Sequence, residues 1–393
     1  MDIIHLPFEL WTLIVEPLDI KIQVRLIQLC KTIKDKIFIT DLCNIDNNKL
    51  KLKLTGDIIK KYPNIKKLYA GNNCKIGDDD LVGLNLVKLN AWNNPKIKKI
   101  NHMTNLKKLN AGQNSGIDDD NLVGLNLVKL NAWNNPKIKK INHMTNLRKL
   151  NASGYSGIED ENLIGLNLIQ LNATANPKIK KINHMSNLRI LYAYFNSGID
   201  DESLIGLNLV VLSVCCNPKI KKINHMTNLR ILHARKNCGV DDDSLVGLNL
   251  VELDAEDNPK IKKINHMTNL RKLSAPYNCG VDDNSLIGLN LVELYAHDNP
   301  KIKKINHMIN LRILNACKNS GVGDLVGLNL VKLNACNNPK IKKINHMSNL
   351  KILNAGLGSG IGDEDLIGLN LVELYATQNP KIQKNISPLK YWD

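Results

Sequence analysis

The chain has 393 residues, of which 43% are hydrophobic, and its 53 Lys and Arg outweigh 37 Asp and Glu to give a formal charge of +16. The hydrophobic share is that of a soluble globular protein, and no run of eighteen apolar residues is present to span a membrane. The opening Met1-Asp2-Ile3-Ile4-His5 lacks the basic and apolar regions of a secretory signal, and nine Cys form no C-x-x-C pair, so a reduced, intracellular (cytoplasmic) setting is expected.

Residues 1–64 carry apolar side chains at helical rather than alternating spacing, with Pro7 and Pro17 at element boundaries. The opening Leu6-Pro7-Phe8-Glu9-Leu10 is followed by Ile14 and Leu18, then Val24-Arg25-Leu26, then Leu29-Cys30-Lys31. Residues 1–45 thereby resemble an F-box, which opens with Leu-Pro-x-Glu and closes on an apolar-Cys/Ser-Lys element. Ile33 stands where that family usually has Trp, and the Pro-x-Asp-Leu link is degenerate. The resemblance implies docking on a Skp1-like adaptor of a cullin ubiquitin ligase, with Leu6, Pro7, Glu9, Ile14, Leu18, Leu26 and Leu29 as contact residues. Read without the resemblance, the segment is a helical cap over the first exposed coil of a repeat. Residues 46–64 are a linker or part of that cap.

From residue 65 to 380 the chain repeats. Asn-Pro-Lys-Ile recurs with proline at 95, 136, 177, 218, 259, 300, 339 and 380, at a spacing of 41 with one interval of 39. Each block holds two halves of similar grammar, Leu86-x-x-Leu89-x-Ala91-x-x-Asn94 and Leu106-x-x-Leu109-x-Ala111-x-x-Asn114. This is the L-x-x-L-x-L-x-x-N signature of a leucine-rich repeat, about 20 residues per coil and sixteen coils. One coil cannot bury its own leucines, so neighbours must stack into a continuous aliphatic core. The Asn in slot nine is expected where the chain turns inward. So short a coil leaves little room for a full helix. The pattern predicts an α+β solenoid, with a parallel concave sheet and 3-10 or extended segments on the convex side. Residues 381–393, ending Ser387-Pro388-Leu389-Lys390-Tyr391-Trp392, break the pattern and read as a C-terminal cap. F-box proteins with such repeats place the F-box first, as here. Near-identical repeats in a Lys- and Asn-rich chain also resemble repeat proteins of giant DNA viruses, which would place this one in the host cytoplasm.

Coils of two kinds alternate. One carries Lys-Ile-Lys-Lys-Ile, as in Lys96 to Ile100, and the other an acidic run such as Asp118-Asp119-Asp120. Stacking is expected to set Lys98 and Lys99 beside Asp118 and Asp119, so that the convex face is striped rather than uniformly basic. That argues against nucleic acid as the partner despite the net charge. The His at 102, 143, 184, 225, 266, 307 and 346 recur every second coil, roughly 10 Å apart by strand spacing. Zinc ligands lie about 2 Å from one ion, so no metal and no cofactor is expected.

Most slots are near copies, but slots seven and eight are not. They carry Trp92, Trp133, Tyr194, Phe195, Arg235, Glu256, Tyr277 and His297, types that dominate binding hot spots. Slot three is Lys in five successive coils, including Lys88 and Lys129. A protein substrate in the concave face, acidic toward the N-terminal end, is the expectation, with Gly112 leaving a gap between Trp92 and Trp133 for a partner side chain. No phosphate loop or matched nucleophile and base is present, so no catalytic residues are assigned. The leading reading is a non-catalytic adaptor presenting a substrate to a Skp1-cullin-F-box ligase. The alternatives are a free-standing interaction scaffold and a nucleic-acid binder through basic surface.

Overall fold

The computed structural model describes residues 39–43 and 54–383, together with 14–15, 18, 22–23, 25–26 and 390–391. Most of the F-box-like segment, including Leu6, Pro7, Glu9 and Leu29, lies outside the described residues, as does most of the C-terminal cap. The chain divides into two compact units, Met1–Leu188 and Arg189–Asp393.

In the first unit, strand β1 (Asp41–Leu42) and the five-residue helix α1 (Gly56–Lys60) precede six three-residue strands. These are β2 (Lys67–Tyr69), β3 (Lys88–Asn90), β4 (Lys108–Asn110), β5 (Lys129–Asn131), β6 (Lys149–Asn151) and β7 (Gln170–Asn172). Each strand pairs in parallel with the next, slot for slot: Leu89 faces Leu68 on one side and Leu109 on the other. The second unit repeats the scheme with β8 (Ile190–Tyr192), β9 (Val211–Ser213), β10 (Ile231–His233), β11 (Glu252–Asp254), β12 (Lys272–Ser274) and β13 (Glu293–Tyr295). It continues with β14 (Ile313–Asn315), β15 (Lys332–Asn334), β16 (Ile352–Asn354), β17 (Glu373–Tyr375) and β18 (Lys390–Tyr391).

The inward slots are those the spacing marks. Leu86, Leu89, Ala91 and Ile97 are buried, and their counterparts in later coils are too. Fully burying one such Leu or Ile contributes roughly 1.5–3 kcal/mol. Opposite the strands, the acidic coils form 3-10 turns of three or four residues, such as Asp120–Leu122 and Glu202–Leu204. Side chains close these turns: Asn121 accepts from the Asp118 N–H at 3.0 Å, and Ser203 does so for Asp200 at 3.1 Å. Burial works against the charge on Asp200, but hydrogen bonds from Ser203 outweigh it and hold the carboxyl below its usual range.

The two kinds of coil turn inward by different means. In the proline coils Asn135 is fully buried and its Nδ2 donates to the Ala111 carbonyl at 2.7 Å and the Ile117 carbonyl at 3.0 Å, both in the preceding coil. Its Oδ1 accepts from the Lys137 N–H at 3.1 Å. In the acidic coils slot nine is not the inward residue, contrary to the expectation for Asn114. Asn114 is exposed, and Ser115 in slot ten is buried instead. The reason is length. The coil from Leu86 to Asn105 has 20 residues and that from Leu106 to Asn126 has 21, with the extra residue at this turn. Gly116 follows Ser115, and a Cβ there would come within 2.5 Å of the Ile97 carbonyl, so the neighbouring backbones meet where only glycine fits.

Slot eight is left-handed in every coil, from Asn72 (φ 55) to Gln378 (φ 58), because the chain must bend there to send the next residues inward. Only Gly154 is glycine. Phe195 and Tyr277 hold the same conformation at φ 53 and 57, which for an L-residue costs roughly 1–2 kcal/mol.

The charged stripes are joined differently from the expected Lys98 and Lys99 beside Asp118 and Asp119. Asp78, one coil earlier, accepts from the backbone N–H of Lys98 at 2.7 Å and of Lys99 at 2.8 Å. Asp119 does the same for Lys139 and Lys140. The carboxylates therefore satisfy orphan backbone donors of an extended segment, and the lysine ammonium groups extend into solvent. The recurrent His are structural in the same sense, with His143 Nε2 lying 3.4 Å from the Leu122 carbonyl of the preceding coil.

Candidate interaction surface

In a strand of three residues the middle side chain enters the core and the flanking two face outward. Slots three and five of each coil, with seven and eight just beyond, thus form the open face of the strand ladder. On the first unit this face shows Lys67, Lys88, Lys108, Lys129 and Lys149 in register on adjacent strands. Beside them runs a row of slot-five asparagines from Asn90 to Asn172. Trp92 and Trp133 are half-buried at the strand ends. The gap expected at Gly112 is not there. Trp92 leans over it, with its Cδ1 3.1 Å from where a Cβ would sit, and Gly112 is itself buried. Glycine at that slot makes room for the protein's own indole.

On the second unit the face is a charged and aromatic network. Arg235 pairs with Asp254 and with Glu256, the latter at 3.0 Å, while Lys236 reaches the other oxygen of Glu256 at 3.8 Å. Asp254 is only 4% exposed. Glu252 lies between His233 at 3.7 Å and Lys272 at 3.0 Å, and the hydrogen bond from Lys272 holds that ammonium above its usual pKa. His233 Nδ1 is 3.1 Å from the Ser213 hydroxyl. Tyr277 packs edge-on against His297 with centroids 5.1 Å apart, and burial pushes the imidazole of His297 below its usual pKa. Tyr192 and Tyr194 form a second edge-on pair at 6.0 Å, with Phe195 exposed beside them.

Lys88, Trp92, Lys129 and Trp133 share the face of the first unit. Tyr194, Phe195, Arg235, Glu256, Tyr277 and His297 share that of the second. Arg235 is not a free cation, as its partners on the next strand engage it. Slot five belongs to the same face, and comparison of the coils marks it too. It is Asn from Asn90 to Asn172, then Tyr192, Ser213, His233, Asp254, Ser274 and Tyr295, then Asn again at Asn315, Asn334 and Asn354. The irregular stretch coincides with β8–β13. Among the described residues no cluster of three His, Cys, Asp or Glu is arranged to hold a metal ion, and no helix is long and apolar enough to cross a membrane.

Parallel three-residue strands, in-register leucines and a buried Asn ladder decide the architecture. The fold is a leucine-rich-repeat solenoid. Several solved structures are similar to the chain, one of them with a TM-score of 0.50. TLR13 in complex with ssRNA13 matches at 19% identity over 82% of this chain and 51% of that one, with a TM-score of 0.50. An internalin from Listeria monocytogenes matches at 19% identity over 82% of this chain and 92% of its own, with a TM-score of 0.39. A leucine-rich-repeat protein of Leptospira interrogans matches at 18% over 88% and 92%, with a TM-score of 0.38. No family profile and no curated protein matches the chain.

Proposed function

We propose that this chain is a non-catalytic protein-binding scaffold whose recognition surface is the open face of its strands. The observation that carries this reading is the contrast between slots. From β8 to β13 the inward residues stay alike from coil to coil, while slots three, five, seven and eight change at almost every step. Residues that only build the stack have no reason to diverge, whereas residues that match one extended partner do. Selecting random twelve-residue peptides on the full chain tests it. Peptides bound on the first unit are expected to lose at least 30-fold in affinity with Trp92→Ala and those bound on the second with Tyr277→Ala, about the 2 kcal/mol of a hot-spot truncation, and both to be unmoved by Lys98→Ala on the opposite side. Equal, negligible losses from all three would place binding elsewhere.

A finer reading makes the scaffold the substrate receptor of a Skp1-cullin-F-box ubiquitin ligase. Its support is the Leu6-Pro7-Phe8-Glu9 opening, and Ile14 is exposed at 49%, as an apolar docking residue would be before its partner binds. Leu18 and Leu26 are half-buried. Co-purification with Skp1 is expected for the wild type and at least tenfold reduced for Leu6→Ala/Pro7→Ala. If the wild type fails to bind where a known F-box binds, the chain is a free-standing scaffold.

A further inference from the structure

We propose that the face of β3–β6 receives an acidic segment of a protein partner, with the partner's carboxylates aligned on a row of lysines. This deepens the protein-binding reading and rests on it. In-register pairing sets Lys88, Lys108, Lys129 and Lys149 side by side, about 4.8 Å from strand to strand. Among the described residues none of the four has an acidic group within ion-pair distance, although Lys67 at the start of the row meets Asp41 at 3.2 Å. Like charges directly opposite one another on neighbouring strands are destabilising. The coil does not demand them, since on the second unit the same slot carries Glu252 against Lys272, which pair at 3.0 Å. The first unit holds uncompensated charge where the second neutralises it.

The asparagine row beside the lysines is oriented. Asn90 Oδ1 accepts from the Trp92 N–H at 3.1 Å, Asn110 from Gly112 at 3.3 Å, Asn131 from Trp133 at 3.0 Å and Asn151 from Ser153 at 3.1 Å. A backbone N–H can bond only the oxygen end of the amide, so the Nδ2 end of each is left as a donor for which no described group is the acceptor. Lysine offers three donors and no acceptor, and the indole N–H is a donor only. The face therefore displays donors from four lysines and four amides and calls for an acceptor-rich, negatively charged ligand. Two features select a protein over a nucleic acid. Val87 and Val128 are each 37% exposed beside the lysines, and Val128 lines the same groove of about 410 Å³ as Lys88, Lys108, Lys129 and Lys149. The charged phosphates of a nucleic-acid backbone gain nothing from an aliphatic side chain, whereas an acidic segment with interspersed Leu or Val buries apolar surface against it. Trp92 and Trp133 stand two strands apart, roughly 10 Å, far more than the rise of about 3.4 Å between stacked bases.

The test uses the peptides selected on the full chain. They are expected to be enriched in Asp and Glu, to weaken steeply with salt, and to lose at least 30-fold in affinity for Lys108→Glu/Lys129→Glu. The milder Lys108→Gln/Lys129→Gln, which adds no new charge, is expected to lose about tenfold with an unchanged circular dichroism spectrum. A peptide with Glu changed to Lys should bind the Glu variant in preference to the wild type. Selected peptides that are not acidic, or that ignore both double variants, overturn this inference and leave the scaffold reading standing. A twelve-nucleotide oligouridylate that binds more tightly than the best peptide and is lost in the Glu variant assigns the row to nucleic acid and overturns it as well. If no peptide is selected at all, both readings fall.

Discussion

Asn135→Ala is expected to destabilise the first unit by about 3 kcal/mol, while Asn114→Ala, at the same slot one coil earlier, changes it by less than about 0.5 kcal/mol. The two asparagines are equivalent in the repeat but not in space. Asn135 is fully buried and satisfies three backbone groups: the carbonyls of Ala111 and Ile117 and the N–H of Lys137. Alanine strands the two buried carbonyls away from water and removes the acceptor of the Lys137 N–H, and each unsatisfied buried group costs roughly 1–3 kcal/mol. Asn114 is exposed, and Ser115 makes the inward turn instead. Stacked repeats open locally, so hydrogen exchange over residues 111–137 is the measurement of choice. A loss of roughly a hundredfold in protection is expected for Asn135→Ala and almost none for Asn114→Ala, since 1.4 kcal/mol is a factor of ten. Equal effects would show that the slot, and not the geometry, determines the contribution.

The second large effect is expected at Arg235. Asp254 is nearly buried, accepts from Arg235 and lies near Glu256, which the same guanidinium engages at 3.0 Å. Arg235→Ala leaves a buried carboxylate beside a second acid and is expected to cost about 3 kcal/mol, at the low end for a broken buried pair because Arg235 itself is partly exposed. Adding Asp254→Asn should recover most of the loss, because a neutral amide can still accept from the Glu256 N–H as Asp254 Oδ1 does at 3.2 Å. Urea unfolding of the single and double variants decides it. If the double variant is no more stable than Arg235→Ala, the arginine contributes through packing of its stem and not through its charge. The same pair shows why truncation of Arg235 cannot by itself report on partner binding, whereas Tyr277 is a cleaner probe.

Much of the fold is legible in the sequence because a period of about 20 residues assigns every Leu, Ala and Ile to a slot, and slots face either inward or outward. Leu86, Leu89, Ala91 and Ile97 are where the spacing puts them. What the period does not convey is which neighbour a side chain reaches. Asp78 rather than Asp118 meets Lys98, and it does so at the backbone, because the turn carries the acidic segment toward the following proline coil. The one-residue difference between coils moves the inward turn from slot nine to slot ten, a shift too small to stand out in a pattern that keeps Asn at slot nine in most coils of both kinds. At the candidate surface, Trp92 and Trp133 are half-buried at the ends of β3 and β5. The covering of Gly112 by Trp92 depends on a side-chain rotamer, and the pairing of Arg235 depends on Asp254 at slot five, whose variation from coil to coil the sequence does show.

The acidic coil from Leu311 to Asn329 has 19 residues, forms no 3-10 turn, and lacks the carboxylate that in the six acidic coils before it receives two lysine amides. Asp324 bonds Val326 instead, and Lys343 turns to φ 54 to donate to Asp365 in the coil that follows. Elsewhere each proline coil gives its Asn to the acidic coil before it and takes that coil's Asp in return. Two like coils set side by side would leave both halves of this exchange unfilled. A stack that keeps this exchange intact therefore grows or shrinks by whole couples of coils, as a zipper is cut only between teeth, and its strand ladder changes length in steps of roughly 10 Å.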